Sequence, residues 1–323
     1  MESREPPAGR SDAVIRVGPA GWSYPDSPGR VYPADVPKQF DVLAFTATYF
    51  DTIEINASFY APQPPRNYAS WVRRVAHNPQ FRFTAKLWQR FTHGQAPDGS
   101  PRSFKPSAPG PQPSAEWTAD DVHAVTDGLQ VLREADRLGA VLAQFPWSFR
   151  PTAAHLERLE RLAADFAGWP VVVELRHGAW AKHEHARLLK HLGLGFCNID
   201  QPVIGESLAP TAGVTSPVGY VRFHGRCYDR WFEENEDAAR RYDYLYTAEE
   251  LHPWIERIRK VAGAEGVREV YVVSNNHFEG KGPANALMIR AMLEGRKVPA
   301  PPVLFQAYQD VLEPWAYAGL EQD

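Results

Sequence analysis

Four titratable side chains stand at or near the ends of short apolar runs, and their types suit acid–base chemistry. Glu54, Lys86 and Glu174 each follow such a run, and His224 ends another. A carboxylate or an imidazole can take up and release a proton, and an ammonium group can stabilise a developing negative charge. We therefore predict a catalytic set in which Glu174 or Glu54 is the general acid or base. His224 would be the second proton-transfer group and Lys86 the electrostatic partner.

Further polar and cationic residues occupy the same run ends or the turns that follow them. A guanidinium group can bind a carboxylate or a phosphate through two hydrogen bonds, and amide groups can orient neutral oxygens. We therefore expect a small anionic ligand that carries a phosphate or a carboxylate. The predicted substrate-binding residues are Asn56, Tyr60, His93, Gln144, Arg176, Asp200, Arg222, Arg226, Asn275, Asn276, Lys281 and Asn285.

Two glycine-containing turns are candidates for holding the anion itself. The turn His224-Gly225-Arg226 offers a forked donor, and the segment from Gly280 to Asn285 leads into a predicted helix. Glycines let backbone N–H groups approach an oxyanion, and a helix N-terminus carries unpaired N–H groups. We expect these two turns to bind phosphate or sulfate. A carboxylate would satisfy the same donors.

Eight short apolar runs, most of them followed by a helical pattern, must position these residues. In chain order they are residues 14–17, 53–56, 83–86, 141–144, 173–176, 196–200, 221–224 and 272–275. Such runs predict parallel strands joined by crossover helices. The predicted fold class is α/β, a single-domain TIM-type (β/α)8 barrel. In barrels of this type the carboxyl ends of the strands meet at one mouth, where the chemistry takes place.

Helix signals and proline-rich stretches give the predicted boundaries. Thr118 would cap a helix that ends just before Gly139, Thr247 opens a capping box, and Pro283 would open the last barrel helix. The expected divisions are a disordered leader at 1–12, a barrel at 13–295, a Pro/Gly/Ser-rich insertion at 94–117 after the third strand, and a tail at 296–323 packed on the barrel.

Composition limits the classes of partner and compartment. The net charge of −4 over 323 residues gives no overall field that favours nucleic acid, although nucleic acid stays an open alternative. Cys197 and Cys227 are too few for a disulfide scaffold. No stretch approaches the roughly 18 apolar residues that cross a bilayer. We predict a cytoplasmic protein that does not contact membranes.

The phrases at the run ends occur in an order that resembles a known family. They are Glu54-Ile55-Asn56-Ala57-Ser58-Phe59-Tyr60, Phe83-Thr84-Ala85-Lys86 with Thr92-His93, Gln144-Phe145-Pro146, Glu174-Leu175-Arg176-His177, Arg222-Phe223-His224-Gly225-Arg226, Asn275-Asn276 and Pro283-Ala284-Asn285-Ala286. Over roughly residues 14–290 the chain resembles the family of domain of unknown function 72, also called YecE-like. The resemblance implies a TIM-type barrel and implies no reaction.

The same charged residues have other uses that stay open. Inward charges are costly to desolvate unless they are paired, so an ion-pair network that closes the barrel is one alternative. A divalent metal held by Glu54, Glu174, Asp200 and His224 is another, although neighbouring cations oppose it. Lys86 as a Schiff-base nucleophile is a third.

At the level of function, we favour an enzyme of hydrolase or lyase type that works by acid–base catalysis. The sequence favours no particular cofactor and leaves a divalent metal open. One alternative is metal-assisted phosphodiester hydrolysis on nucleic acid, by analogy with barrel endonucleases. The other alternative is a ligand-binding or sensor barrel that has no catalytic activity.

Overall fold

Eight parallel strands form the centre of the molecule. The computed structural model describes residues 13–93, 116–228 and 242–319. The strands are β1 (Val14–Pro19), β2 (Thr52–Ile55), β3 (Arg82–Lys86), β4 (Leu138–Gln144), β5 (Val171–Glu174), β6 (Gly195–Asp200), β7 (Val218–Phe223) and β8 (Glu269–Ser274). Each of the eight apolar runs overlaps one of these strands, and four of them extend one or two residues past the strand end, so the number and order of the strands are confirmed.

The strands follow one another around a ring. Their order is β1-β8-β7-β6-β5-β4-β3-β2, and the ring closes where Ala20 bridges Glu54 and the Gly21 N–H donates to the Glu54 carbonyl at 2.8 Å. Gly18 allows this closure, because a Cβ there would lie 1.8 Å from the carbonyl oxygen of Thr52. The predicted α/β TIM-type barrel is confirmed.

Helices cover the outside of the barrel. They are α1 (Val42–Tyr49), α2 (Ala57–Tyr60), α3 (Pro65–Arg74), α4 (Ala119–Glu134), α5 (Ala153–Asp165), α6 (His183–His191), α7 (Ala248–Ala262) and α8 (Lys281–Glu294). Thr118 and Thr247 cap α4 and α7 as predicted, each in a capping box with a carboxylate three residues on. Leu129 and Leu159 lie in one buried apolar cluster with Val141 of β4, which fixes α4 and α5 against the sheet.

One predicted helix boundary is wrong. Helix α4 ends at Glu134, and the chain turns at Asp136, whose φ is 53°, before β4 begins at Leu138. Gly139 is therefore a strand residue and not a helix stop. A Cβ at this position would lie 2.2 Å from the ring of Tyr271, so glycine makes room for that ring inside the barrel. Pro283 lies within the first turn of α8, where a missing N–H costs little.

Beyond α8 the chain forms a small outer layer. It contains β9 (Val298–Ala300), α9 (Pro302–Ala307), α10 (Gln309–Leu312) and β10 (Ala316–Ala318), and β9 pairs with β10. Leu304 and Leu312 are buried in the same apolar cluster as Leu287 of α8. The predicted domain boundaries stay predictions. The leader at 1–12 and nearly all of the insertion, residues 94–115, lie outside the described residues.

Within residues 13–93, 116–228 and 242–319, no helix has the length and apolar character needed to cross a bilayer. The cytoplasmic location stays a prediction.

Candidate active site

Two glutamates and one arginine form a buried ion-pair network at the carboxyl ends of three strands. Glu54 lies near the end of β2, Glu174 ends β5 and Arg222 lies near the end of β7. One terminal nitrogen of Arg222 lies 2.6 Å from Glu54 Oε1, and the other lies 2.5 Å from Glu174 Oε2. All three side chains are 0% exposed. A guanidinium shared by two carboxylates offsets much of the cost of burying these charges.

The other oxygen of Glu174 faces three more groups. Gln144 Nε2 donates to Oε1 at 2.9 Å, Arg176 Nε donates at 2.8 Å, and His224 Nε2 lies 3.1 Å away. Asn275 Nδ2 lies 3.1 Å from His224 Nδ1. An amide donor at Nδ1 places the imidazole proton on Nε2, where it can be donated to Glu174. The structure therefore brings these five predicted residues together.

Burial and charge set the protonation states of this network. Burial alone would raise the pKa of Glu174, but interactions with His224, Arg222 and Arg176 outweigh it and hold that pKa well below its usual range. Burial lowers the pKa of His224 to about 3, against the opposing effect of Glu174. At neutral pH the pair is therefore a carboxylate beside a neutral imidazole. A carboxylate with both oxygens engaged is a poor proton acceptor for a ligand.

Lys86 ends β3 beside this network without joining it. Its Nζ lies 4.1 Å from the centre of the Phe59 ring, and no carboxylate of the described residues forms an ion pair with it. Burial, with the charge of Arg222, lowers the pKa of Lys86 to about 7, while Glu54 and Glu174 act in the opposite direction. The side chain keeps some exposure to solvent. Lys86 can therefore exchange a proton near neutral pH.

Aromatic rings surround Lys86 at the rim of the mouth. Phe59 packs edge-on against Tyr60 and His93, with ring centres 5.4 and 5.2 Å apart. Tyr60 is 70% exposed and presents its ring to solvent. Burial, together with the charges of Lys86 and Arg176, lowers the pKa of His93 to about 3. The predicted residues Tyr60 and His93 therefore lie on the Lys86 side of the mouth.

Asn56 lies at the rim between β2 and the turn after β1. Its Nδ2 donates to the Tyr24 hydroxyl at 3.1 Å. Its Oδ1 is buried and has no hydrogen-bond partner among the described residues. An acceptor of this kind is available for a ligand hydroxyl or amine.

Asp200 and Arg226 form a separate ion pair. Arg226 donates to both oxygens of Asp200, from Nε at 2.8 Å and from Nη2 at 2.6 Å. Tyr246 and Trp254 donate to the same carboxylate at 2.7 and 2.5 Å. Arg226 also lies 3.3 Å from Glu250. The guanidinium group of Arg226, which was predicted to bind an anionic ligand, is thus engaged by the carboxylates of Asp200 and Glu250.

The remaining predicted residues also have partners within the protein. The amide nitrogens of Asn276 and Asn285 donate to backbone carbonyls of the segment 244–246, and Lys281 forms an ion pair with Asp243. These contacts hold the segment against the start of α8. Phosphate binding there stays a prediction, although its side-chain donors are already engaged.

Tyr220 and Thr84 belong to the network although sequence reasoning missed them. The Tyr220 hydroxyl donates to Glu54 Oε2 at 2.9 Å and lies 2.8 Å from the Thr84 hydroxyl. Each precedes a predicted site residue by two positions, Arg222 and Lys86 respectively. Because strand side chains alternate, the period of two could have identified both residues.

The described residues give little support for a metal centre. Among them, no group of three or more His, Cys, Asp or Glu side chains is arranged to hold a metal ion. Of the ligands considered from sequence, Glu54 and Glu174 share Arg222, and Asp200 pairs with Arg226. A divalent cation would have to open these ion pairs before it could bind.

Comparison with known proteins gives consistent matches over most of the chain. A sequence model of the family described as "Protein of unknown function DUF72" matches residues 16–306. UPF0759 protein YunF of Bacillus subtilis (strain 168) is 27% identical over 296 residues, which cover 87% of this chain and 95% of that protein. The crystal structure of a DUF72 family protein from Thermotoga maritima MSB8 matches with a TM-score of 0.72 at 31% identity, covering 87% of this chain and 99% of that one. A DUF72 family protein from Enterococcus faecalis V583 shares the fold, with a TM-score of 0.70 at 23% identity over 87% of this chain and 96% of that one.

Proposed function

This chain belongs to the family described as "Protein of unknown function DUF72", and we propose that it is an enzyme that binds a small carboxylate- or phosphate-bearing molecule at the barrel mouth and transfers protons there. The observation that carries the proposal is the ammonium group of Lys86, which has no carboxylate partner among the described residues. The family description names no reaction.

The balance of charge at the mouth favours an anion. Two carboxylates, Glu54 and Glu174, face two guanidinium groups, Arg222 and Arg176, so their formal charges cancel. Protonated Lys86 then adds a positive charge in a partly desolvated position. A ligand carboxylate or phosphate would supply the missing counter-charge. Of these two guanidinium groups, Arg176 is 10% exposed and Arg222 is 0% exposed, so Arg176 is the more accessible one.

We assign proton transfer to Lys86 and not to the glutamates. Glu54 and Glu174 are fully buried, and both oxygens of each carboxylate are hydrogen-bonded. A general acid or base must come within hydrogen-bonding reach of the proton it moves and works best with a pKa near the operating pH. Lys86 is partly exposed, so a ligand in the mouth can approach it, and its pKa is about 7. Glu54, Glu174 and His224 then act as positioning residues.

The alternatives use the same mouth differently. A sensor barrel would bind the same anion without converting it. Metal-assisted hydrolysis of nucleic acid would need a cation among the paired guanidinium groups, whose charges oppose it, so it is not the preferred function.

Binding and proton transfer can be tested separately. Calorimetry with oxalate and with phosphate measures anion binding without any reaction. For the chemistry, the protein is incubated in D2O with a small-molecule extract of cells, and mass spectrometry identifies compounds that gain deuterium or change mass. We expect at least one carboxylate- or phosphate-bearing compound to respond. Binding without exchange or conversion would favour the sensor, and no binding of either anion would refute both functions.

Substitutions at Lys86 separate charge from proton transfer. Lys86→Met deletes the charge and should weaken anion binding by about 10-fold, equivalent to about 1.4 kcal/mol. Lys86→Arg retains a permanent charge and should keep most of the binding while losing exchange, because arginine is not deprotonated at neutral pH. Lys182→Met, at an exposed position ahead of α6, is the matched control and should change neither property.

A further inference from the structure

We propose that Lys86 is also a nucleophile that forms an imine with an aldehyde or ketone group of its anionic substrate. The inference rests on the proposed function and names its substrate class, a carbonyl compound that carries a carboxylate or a phosphate. Two observations support it: Nζ lies 4.1 Å from the centre of the Phe59 ring, and Lys86 forms no ion pair with a carboxylate of the described residues.

The surroundings of Lys86 differ from those of the other cations at the mouth. Arg222, Arg176 and Arg226 each donate to carboxylates at 2.8 Å or less. An amine in an ion pair is held protonated and cannot attack, whereas an amine on an apolar ring is available once it loses a proton. Of the groups described at this mouth, Lys86 is the one that combines a primary amine with this setting.

The electrostatic environment supplies the neutral amine. Burial and the charge of Arg222 disfavour the ammonium form, so the pKa of Lys86 falls to about 7. About half of the protein then carries the neutral amine at pH 7, compared with about one part in 2,500 for a lysine in water. Desolvation beside other cations is one of the recognised ways in which proteins activate a lysine nucleophile.

The atoms and charges of the reaction balance without a further reagent. The Nζ lone pair attacks the carbonyl carbon, the C–N bond forms, and the electrons of the carbonyl π bond move to oxygen. One proton passes from nitrogen to that oxygen, and the proton that the ammonium form released to solvent before the attack returns to the same oxygen, so that the C–O bond breaks and water leaves. A protonated imine remains on Lys86, so one ammonium and one carbonyl group give one iminium and one water. The iminium can then withdraw electrons from the adjacent carbon, which eases proton abstraction there.

The rest of the mouth fits an anionic carbonyl compound. The Arg176 guanidinium is 10% exposed and is held by its Nε, which donates to Glu174 at 2.8 Å, so it places a positive charge beside the mouth. The buried and unpartnered Oδ1 of Asn56 lies on the neighbouring strand end and can accept from a substrate hydroxyl. These groups discriminate an anionic carbonyl compound from a neutral aldehyde.

The imine can be trapped on the full-length protein. The probe is glyoxylate with sodium cyanoborohydride at pH 7, and peptide mapping by mass spectrometry locates carboxymethyl-lysine. We expect Lys86 to be modified at least about 10-fold faster than the exposed lysines Lys182, Lys260 and Lys297. Acetaldehyde, which lacks the carboxylate, should give a smaller preference for Lys86.

Two further measurements separate this inference from the proposed function. Oxalate, which binds as an anion and forms no imine, reports the anion site alone by calorimetry. The inference is supported if glyoxylate is trapped selectively at Lys86, and if the Lys86→Arg variant loses this trapping but still binds oxalate. Oxalate binding without selective trapping overturns the imine and leaves the proposed function standing. Failure of both oxalate binding and trapping overturns the two together.

Discussion

The terminal nitrogen Nη2 of Arg222 lies 2.6 Å from Glu54 Oε1, although 168 residues separate the two in the chain. Both side chains are 0% exposed, and closure of the barrel brings the ends of β7 and β2 to the same mouth. Neither charge has access to water, so each depends on the other for its stability. The ion-pair network is consequently part of what holds the mouth of the barrel in shape.

Replacement of Glu174 should therefore destabilise the fold. Glu174→Gln keeps the volume but leaves Arg222 and Arg176 without one of their carboxylate charges. Removing one partner of a buried pair typically costs about 3–5 kcal/mol. We expect the free energy of unfolding, measured with urea, to fall by an amount in that range.

An exposed glutamate provides the matched control. Glu184 is 66% exposed and lies 3.7 Å from Lys182, so Glu184→Gln should change the free energy of unfolding by less than about 0.5 kcal/mol. Equal, small effects of the two substitutions would contradict a stabilising role for the buried network.

A second stability prediction concerns Tyr220. Its hydroxyl donates to Glu54 Oε2 at 2.9 Å inside the barrel. Tyr220→Phe removes the donor, so Glu54 Oε2 stays buried without this hydrogen bond. Leaving a buried polar group unsatisfied lowers the free energy of unfolding by about 1–3 kcal/mol. Thermal and urea unfolding should both show the loss. Tyr228→Phe, at a position that is 52% exposed, should leave the free energy of unfolding nearly unchanged, and a similar loss in the two variants would rule out the network as the cause.

The positions of the strands could be predicted from sequence because buried parallel strands need continuous apolar runs. The run that ends in Glu174 is three valines, and the run of β8 also consists mainly of valine and aromatic residues. Since the carboxyl ends of all eight strands meet at one mouth, the polar residues after each run had to converge there. Glu54, Glu174, Arg222 and His224 do so.

Partner choice within the mouth could not be predicted, because it depends on register and on side-chain reach. Arg226 follows β7, and Asp200 ends the neighbouring strand β6, which places the guanidinium against that carboxylate. From the sequence alone, Arg226 could equally well be predicted to bind a phosphate of a ligand. Lys86 likewise contacts the ring of Phe59 and not a carboxylate because α2 packs over β3. This packing between two elements cannot be predicted from the local sequence of either.

Stability should decrease as the pH falls from about 6.5 toward 4.5. Burial lowers the pKa of His224 to about 3, whereas an unfolded histidine titrates near about 6.5. Between these values the unfolded chain binds a proton at His224 that the folded protein does not, so His224 contributes up to about 1.4 kcal/mol per pH unit to unfolding by acid. Glu174 has a lowered pKa and contributes to this trend mainly below about pH 5, because an unfolded glutamate is half protonated at about pH 4.3.

His224→Gln should reduce that pH dependence, because glutamine can donate to Glu174 without titrating. Urea unfolding at pH 7, 6 and 5 measures the slope for both proteins, and the exposed His183→Gln is the control. His93, whose pKa is also lowered to about 3, should retain part of the slope in the His224 variant. An unchanged slope in His224→Gln would show that His224 is not the neutral buried histidine inferred from its contacts.

Lys86 should react with acylating reagents at a lower pH than the exposed lysines do. Competitive labelling with trace acetic anhydride between pH 6 and 9, read out by peptide mass spectrometry, follows the neutral amine at each position. With a pKa of about 7, the rate at Lys86 should approach a plateau above pH 8. A lysine in water, with a pKa of about 10.4, reacts about tenfold faster for each unit of pH throughout this range. Lys260 on the exposed face of α7 is the internal reference. A Lys86 profile that rises in parallel with Lys260 would mean that the ammonium form is stabilised at the mouth, and the proton-transfer role of Lys86 would then have to be abandoned.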